Sequence, residues 1–219
     1  MQEQVRAFAL GRGASLVGFA AAAGFQDAPE GYRPIDLLPS ARGVVVLAKA
    51  LPKGVVETGN AAVYTLHHGH LMQQLDTLAY EVAVFLESLG AVAMPLPADD
   101  PYFHWEPERR HGIGLFSHRH AAVKAGLGTI GRSALLITPQ FGNRVELVSV
   151  LTTLPFPPAP QLESLCLPGC TRCVDACPSG AQSGSFAIEQ KPCREHIAAR
   201  TDRGHAIYRC WQCRSVCPA

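Results

Sequence analysis

The chain has 219 residues, which suits one compact domain, or one domain with a small additional module. Hydrophobic residues make up 47% of it, enough to bury a core, and the formal net charge of +1 argues against a protein that coats nucleic acid. No apolar run approaches the roughly 20 residues that a membrane span needs, so we expect no membrane partner.

Helix and strand patterns alternate in the first part of the chain. Val5–Gly13 predicts a short first helix, and the β-branched run within Ala41–Leu51 predicts a buried strand. Apolar residues then recur at three- and four-residue steps over His70–Gly90, which predicts one long amphipathic helix. Ala91–Ala98 predicts a further strand.

A loop, a short helix and two strands follow. Pro97–Glu108 carries several prolines, four carboxylates and three aromatic rings, which predicts a loop. Ser117–Gly126 predicts a helix, and Ser133–Thr138 and Asn143–Thr153 predict strands.

A proline-rich segment divides the chain. Leu154–Gln161 has four prolines in eight residues and is the most plausible linker. We therefore predict an α+β cofactor or substrate domain over residues 1–156 and a second, cysteine-rich domain over residues 162–219.

The distribution of cysteine indicates the cellular compartment. All eight cysteines lie between Cys166 and Cys217, which argues against a disulfide framework for the whole protein. The apolar run Leu16–Phe25 has the character of an export signal, but two glycines interrupt it and we assign it to the folded domain. Clustered cysteines in a reducing compartment usually bind metal, so we expect a cytoplasmic metalloprotein.

The sequence GLGTIG at Gly126–Gly131 matches the glycine pattern of a dinucleotide-binding turn. Such a turn follows a strand and opens a helix, whereas here a helical segment comes first and a strand-like run follows. Pro139 and Gly142 leave no room for the required helix before Glu146, the candidate ribose-binding acid. We interpret the segment as a helix-to-strand turn, in which glycine provides positive φ or close packing.

The same region is basic. No acidic residue occurs from Arg109 to Val145, while six Lys or Arg do. Glycine backbone N–H groups and cationic side chains can together bind a cofactor phosphate, an anionic substrate or an acidic redox partner. A solvated face neutralised by acids elsewhere, such as Asp99 and Glu106, explains the pattern equally well. The candidate cofactor-binding residues are Gly126, Gly128, Gly131, Arg132 and Lys124.

The cysteines form two C-x-x-C-x-x-x-C-P units, which are a strong signal for a bacterial-type ferredoxin module. Three thiolates on a tight loop bind one cubane, and the fourth cysteine, at the start of a helical turn, points to the other cubane. We therefore predict two [4Fe-4S] clusters with interleaved ligands. One set is Cys166, Cys170, Cys173 and Cys217, and the other is Cys177, Cys193, Cys210 and Cys213.

Two alternatives remain open from the spacing. Zinc also accepts four thiolates from such pairs, although it requires neither the repeated Cys-Pro nor the interleaving. Cys166 lies one residue farther from Cys170 than in the simplest pattern. If Cys166 is not a ligand, the first site becomes a three-cysteine cluster with a labile iron.

With both regions in view, the chain resembles epoxyqueuosine reductase and its short relatives. The resemblance lies in AAVKAGLGTIGRSALLITPQFG, VELVSVLTT, CTRCVDACPSGA and AIYRCWQCRSVCP, and extends roughly over Ala41–Ala219. Reductive dehalogenases share the general architecture. The resemblance implies a nitroreductase-like α+β domain joined to a two-cluster ferredoxin module. It also implies a cobalamin (corrinoid) on the α+β domain, reduced by the nearer cluster, with the GLGTIG turn on the cofactor-holding face.

Two departures set this chain apart from epoxyqueuosine reductase. The segment HGIGLFSHRHAAVKAGLG contains no carboxylate, although that family has an acidic proton donor shortly before its AGLG motif. The sequence also ends at Ala219, without the helical domain that helps to grip tRNA, so we do not expect tRNA as a partner. His118 and His120 are the candidate catalytic proton donors, because imidazole exchanges protons near neutral pH.

We therefore predict an iron–sulfur oxidoreductase that receives electrons from a donor protein or reductase. The clusters would relay them to a corrinoid or a small substrate on the α+β domain. The alternative is an electron carrier that docks a partner enzyme through Arg109–Arg144 and performs no chemistry itself.

Overall fold

The computed structural model describes residues 1–219 as a mixed α+β fold. Its helices are α1 Gln2–Gly11, α2 Pro34–Leu37, α3 Lys53–Glu57, α4 Ala61–Ser88, α5 His118–Lys124, α6 Arg172–Asp175, α7 Gln190–Ile197 and α8 Gln212–Ser215, and a 3-10 helix covers Ala22–Phe25. Its strands are β1 Leu16–Ala21, β2 Gly43–Ala50, β3 Ala93–Pro95, β4 His104–Glu106, β5 His111–Ile113, β6 Thr129–Ile130, β7 Leu136–Ile137, β8 Val145–Thr152, β9 Ala198–Arg200 and β10 Ala206–Tyr208.

A four-stranded antiparallel sheet forms the centre, in the order β1-β2-β8-β3. One row of paired residues crosses it from Phe19 through Val45 and Val150 to Pro95. The edge strand β3 covers only Ala93–Pro95, shorter than the predicted strand over Ala91–Ala98, and Pro95 is tolerated because β3 lies at the edge of the sheet.

Helices cover both faces of the sheet. Val45 and Leu47 of β2 pack with α1 and α4, whereas Val44 and Val46 point to the other face, where α5 packs. Successive strand residues point to opposite faces. Burial on both faces therefore explains why β2 is a nearly continuous apolar run, as the sequence predicts.

The long helix α4 begins earlier than the sequence predicts. Its first residue is Ala61 rather than His70, and the Asn60 side chain caps it by accepting from the Val63 N–H at 3.1 Å. The first turns of α4 contact the cysteine-rich segment instead of the sheet, through Tyr64 and Leu71. The apolar pattern that marks the sheet-facing part therefore does not extend to the true start.

The predicted strand Ser133–Thr138 is wrong in extent. Only Leu136–Ile137 is extended, and it pairs with Thr129–Ile130 in a small hairpin outside the main sheet.

None of the helices has both the length and the apolar character that crossing a membrane requires. The division into two domains at the proline-rich segment stays a prediction.

Candidate functional site

The cysteine-rich segment contains two similar short helices that lie against each other. The helix α6 carries Cys173 and α8 carries Cys213, and in each unit the Cys-Pro pair follows the helix. Each of the two repeated sequence units therefore forms a tight loop followed by one helical turn. This arrangement places the last cysteine of each unit beyond its own helix.

The first cysteine group surrounds one cavity. The residues that line the cavity include Cys166, Cys170, Cys173 and Cys217, and its empty space of about 340 Å³ is partly open to solvent. Burial raises the pKa of Cys173, and the neighbouring Cys166, Cys217 and Cys170 raise it further. Cys217 thus lies with the earlier unit and not with its own.

The second group contains the other four cysteines. Burial raises the pKa of Cys213 to about 11, and among its neighbours Cys193, Cys210 and Cys177 act in the same direction. Burial likewise raises the pKa of Cys193, helped by Cys177 and Cys210. These effects indicate that the four thiols are neighbours, while the assignment of all eight cysteines to two ligand sets stays a prediction.

Cys177 is surrounded by hydrogen-bond donors. Burial acts to raise its pKa, but the Ser179 hydroxyl and the backbone N–H groups of Ser179, Gln182 and Ala181 outweigh burial, and the pKa is lowered. The Ser179 Oγ lies 3.5 Å from the Cys177 sulfur. Such donors stabilise a thiolate, the form of cysteine that binds metal.

The donor set fits iron–sulfur clusters. Each group supplies four thiols and no other ligand type, as cubane clusters use. The first group encloses a cavity, while no three His, Cys, Asp or Glu side chains lie close enough to hold a single metal ion.

An aromatic contact attaches the cysteine-rich segment to the rest of the protein. The Trp211 ring stacks on Tyr64 of α4, with centroids 4.4 Å apart, and its indole N–H donates to the Val56 carbonyl at 2.9 Å. Trp211 is buried in this contact. The second cysteine group, which flanks Trp211 in sequence, is thereby held against α3 and α4.

A buried ion pair forms a second attachment. The Arg214 NH2 lies 2.7 Å from Glu146 Oε1 of β8, and Arg214 NH1 donates to the carbonyls of Asn143 and Val145. In return, Asn143 Nδ2 donates to the Cys213 carbonyl at 3.3 Å. Glu146, considered above as a ribose-binding acid, is therefore a partner of the cysteine-rich segment.

The GLGTIG turn caps a helix, as its position after a helical segment predicts. Gly126 has φ of +70°, and the N–H groups of Gly126 and Leu127 donate to the carbonyls of Val123 and Ala122. This is the Schellman arrangement at the end of α5. A Cβ on Gly128 would lie 2.1 Å from the Ile137 carbonyl oxygen, so close packing excludes a side chain there.

The candidate cofactor-binding cations do not converge on the glycine turn. Lys124 Nζ lies 2.8 Å from Asp27 Oδ1, and Arg132 instead lines the first cysteine cavity, with its guanidinium 5.7 Å from the Phe186 ring. Gly131 packs against the Ile137 side chain.

Other cations of the basic region are also engaged within the chain. Arg109 pairs with Glu106 at 3.2 Å, and Arg144 donates to the Leu51 carbonyl at 2.8 Å. Acids from outside the region therefore neutralise Arg109 and Lys124, and a backbone carbonyl accepts a hydrogen bond from Arg144.

The two candidate proton donors differ in accessibility. His118 Nε2 lies 2.9 Å from the Pro97 carbonyl and must carry the hydrogen, so Nδ1 accepts from the Ser149 hydroxyl, also at 2.9 Å. Burial lowers the pKa of His118 despite the opposing effects of Pro97 and Asp76. His120 is exposed, and its Nδ1 lies 2.7 Å from the Ser117 hydroxyl.

An acidic and aromatic cluster lies beside the second cysteine group. Arg194, next to Cys193, donates to the Tyr102 hydroxyl at 2.8 Å, and that hydroxyl lies 3.4 Å from Asp99 Oδ1. Burial and then the adjacent Asp100 raise the pKa of Asp99. Tyr102 and Arg194 are 92 positions apart and share no local pattern, so the sequence does not reveal this contact.

The fold and the thiol groups define a mixed α/β protein with a four-cysteine group repeated and interleaved in its last quarter. No family model matches the chain. It is 26% identical over 213 residues to an epoxyqueuosine reductase of Bacillus subtilis, covering 88% of this chain and 51% of that protein. It is 29% identical over 171 residues to a tetrachloroethene reductive dehalogenase of Desulfitobacterium hafniense, covering 75% and 28%.

Solved structures show the same relationship. A selenomethionine-labelled epoxyqueuosine reductase matches 99% of this chain with a TM-score of 0.68 at 24% identity. The catabolic reductive dehalogenase NpRdhA matches 99% with a TM-score of 0.67 at 18% identity. The chain is thus related to the epoxyqueuosine reductases and the reductive dehalogenases, which confirms the resemblance found in the sequence.

This chain spans only part of its relatives. It covers 51% of the Bacillus subtilis epoxyqueuosine reductase and 64% of the solved one. Another neighbour was solved with an epoxyqueuosine-modified tRNA stem loop, and a reductive dehalogenase structure is described as suggesting a mechanism for B12-dependent dehalogenation. Those ligands are properties of the neighbouring proteins.

Proposed function

We propose that this protein is an iron–sulfur oxidoreductase in which two [4Fe-4S] clusters relay electrons to an acceptor on the α+β domain. The observation that carries the proposal is the interleaved grouping of the eight thiols, with Cys217 in the first group and Cys177 in the second. Shared loops bring two such centres close together, which favours electron exchange between them. The relatives are reductases, and this likeness supports a redox role.

Anaerobic purification followed by metal analysis tests the clusters. We expect about eight iron and about eight sulfide per chain, with a broad visible absorbance that bleaches on adding dithionite. A colourless protein with two zinc ions and no sulfide, prepared without oxygen, would rule the proposal out.

A corrinoid is the acceptor that the related B12-dependent dehalogenase suggests. When bound, it would supply a cobalt centre that takes electrons from a cluster and passes them to a substrate. The residues proposed for its face are Gly126, Gly128, Gly131, Arg132 and Lys124. Lys124 already pairs with Asp27, and Arg132 lies at the first cysteine group. Among the proposed cofactor-binding residues, the three glycines are therefore stronger candidates than the two cations. Titration of the anaerobic protein with cobalamin, followed by absorbance, tests it.

The proton that accompanies reduction has more than one candidate source. His120 remains a candidate because it is exposed, whereas both ring nitrogens of His118 already have partners. The Asp99–Tyr102 pair is a further candidate, since it lies beside the second cysteine group and burial favours the protonated acid. If Asp99 supplies the proton, Asp99→Asn should lower turnover without changing cluster reduction by dithionite.

The partners follow from this function. An electron-donor protein or reductase must supply the electrons, and the cytoplasm is the compartment that keeps such thiols reduced. The neighbour solved with a tRNA stem loop weakens the expectation that tRNA is not a partner. A binding assay with a tRNA anticodon stem loop, compared with an unrelated hairpin of equal length, decides this point.

The alternative, an electron carrier that docks a partner through Arg109–Arg144, receives less support. Arg109, Lys124 and Arg144 are already engaged with groups of the same chain. Turnover of a small molecule with dithionite as sole reductant would favour the enzyme. Electron transfer only to a protein partner, with strong salt dependence, would favour the carrier.

A further inference from the structure

The ion pair between Arg214 and Glu146 is the most deeply buried in the structure. Their side chains are 6% and 16% exposed, and the guanidinium makes further hydrogen bonds to the Asn143 and Val145 carbonyls. A buried ion pair is weak evidence for stability, because desolvating two charges costs about as much as their attraction returns. Attachment alone therefore does not explain why two charges occupy this position.

The position itself suggests a role. Arg214 directly follows Cys213, and its charge is one of the neighbours that act on the Cys213 thiol. His68 Nε2 lies 3.8 Å from Glu146, and the Tyr64 hydroxyl completes the polar surroundings of the guanidinium. Arg214 thus places a buried charge next to the second cysteine group, with Glu146 as its ion-pair partner.

The reduction potential of an iron–sulfur cluster depends on nearby charge, hydrogen bonds and solvent exposure. A charge buried away from water is screened little, so its effect on a neighbouring cluster is larger than that of a surface charge. Reduction adds negative charge to the cluster. A nearby cation therefore raises the potential and a nearby anion lowers it.

We propose that Arg214 and Glu146 are positioning residues that set the reduction potential of the cluster held by Cys177, Cys193, Cys210 and Cys213. The inference rests on the proposed function, since it requires that cluster. Arg214 favours the reduced cluster, Glu146 offsets that effect, and their contact with β8 fixes both charges at constant distances.

The test is an EPR-monitored redox titration of the full chain, purified without oxygen, at one fixed pH. Glu146→Gln should raise the midpoint potential of one cluster and Arg214→Gln should lower it, while the other cluster changes little. We expect the ratio of reduced to oxidised cluster at a fixed potential to change about tenfold, or about 59 mV for one electron. The double variant should return towards the parent value, because the two single shifts have opposite signs.

Two further variants separate charge from structure. Arg214→Lys keeps the charge but loses the forked hydrogen bonds, so it should lower the unfolding temperature while shifting the potential less than Arg214→Gln. Glu81→Gln removes the same charge from the exposed pair with Arg12 and should leave both potentials unchanged.

The outcomes are distinguishable. Absence of iron from the parent protein would contradict the proposed function itself. Intact clusters whose potentials stay the same in Glu146→Gln and Arg214→Gln, or move in the same direction, would overturn this inference and leave the iron–sulfur function standing.

Discussion

The rings of Trp211 and Tyr64 stack 4.4 Å apart and within 6° of parallel, although 147 positions separate them in the chain. Tyr64 lies in the first turns of α4, the part of that helix that the apolar pattern does not reveal. The contact therefore links a helix of the α+β region to the loop that carries Cys210 and Cys213. The stacked contact thereby holds the second cysteine group in place relative to the sheet.

Replacing Trp211 should destabilise the protein. Trp211→Ala removes the stack and leaves a cavity, so we expect a loss of about 3–5 kcal/mol in the free energy of unfolding. Trp211→Phe keeps a ring but leaves the Val56 carbonyl without its donor, and should cost about 1–3 kcal/mol. Denaturant unfolding of the anaerobic protein measures both.

The control for Trp211 is Phe103→Ala. Phe103 is 64% exposed, so this variant should change the free energy of unfolding by less than about 0.5 kcal/mol. A loss of similar size in Phe103→Ala and Trp211→Ala would contradict the special role of the stacked contact.

Pairs of cysteine substitutions can test the interleaving. If Cys170 and Cys217 bind the same cluster, the double variant Cys170→Ala/Cys217→Ala loses one cluster and retains about four iron. Cys173→Ala/Cys177→Ala instead removes one ligand from each group and should lose both clusters. Iron and sulfide analysis after anaerobic purification gives the counts. The opposite pattern, with both clusters lost only in the first variant, would mean that each unit binds its own cluster.

The buried ring of His118 should make stability depend on pH. Burial lowers its folded-state pKa, so the unfolded chain takes up the proton first as the pH falls through about 6.5. The stability that neutral His118 contributes is therefore present above that pH and lost below it. His118→Asn should lose less stability than the parent between pH 7.5 and 5, as measured by urea unfolding at both values.

Exposed His70 provides the comparison for His118. His70→Asn should retain the pH dependence of the parent, because the side chain lies at the surface. If the free energy of unfolding changed equally in His118→Asn and in the parent between the two pH values, the assignment of His118 as buried and neutral would be wrong.

A side chain at Gly128 of the glycine turn should destabilise the protein. A Cβ there would lie 2.1 Å from the Ile137 carbonyl, so Gly128→Ala must displace backbone and should cost more than about 1 kcal/mol. Gly54→Ala, in α3 with open space around it, should stabilise the protein by about 0.4–1 kcal/mol. Thermal unfolding of both variants checks the contrast, and a neutral Gly128→Ala would refute the close packing.

The pattern of the sequence was enough to predict several parts of this structure. The buried strand β2, the long helix α4 and the helix-to-strand turn at Gly126 follow from the apolar periodicity and from the order of elements. The repeated spacing of the cysteines also predicts two sets of four thiols, and the metal centres that they would bind stay a prediction. These features depend on neighbours in the chain, and local geometry determines them.

Other features depended on contacts between distant segments. The first turns of α4 pack on Trp211 through Tyr64, the partner of Glu146 is Arg214, and the Tyr102 hydroxyl meets Arg194. The basic character of Arg109–Val145 is visible in the sequence, which also offers Glu106 as a neutralising acid, yet the ion pair of Lys124 with the distant Asp27 is not visible there.

The sequence by itself thus determined the local elements and the clustering of the thiols, because both arise from spacing along one short stretch of chain. Only the tertiary structure decided which charges lie beside the second cysteine group and which histidine is accessible. Those properties depend on burial and on distances between residues far apart in sequence, and no local pattern specifies them.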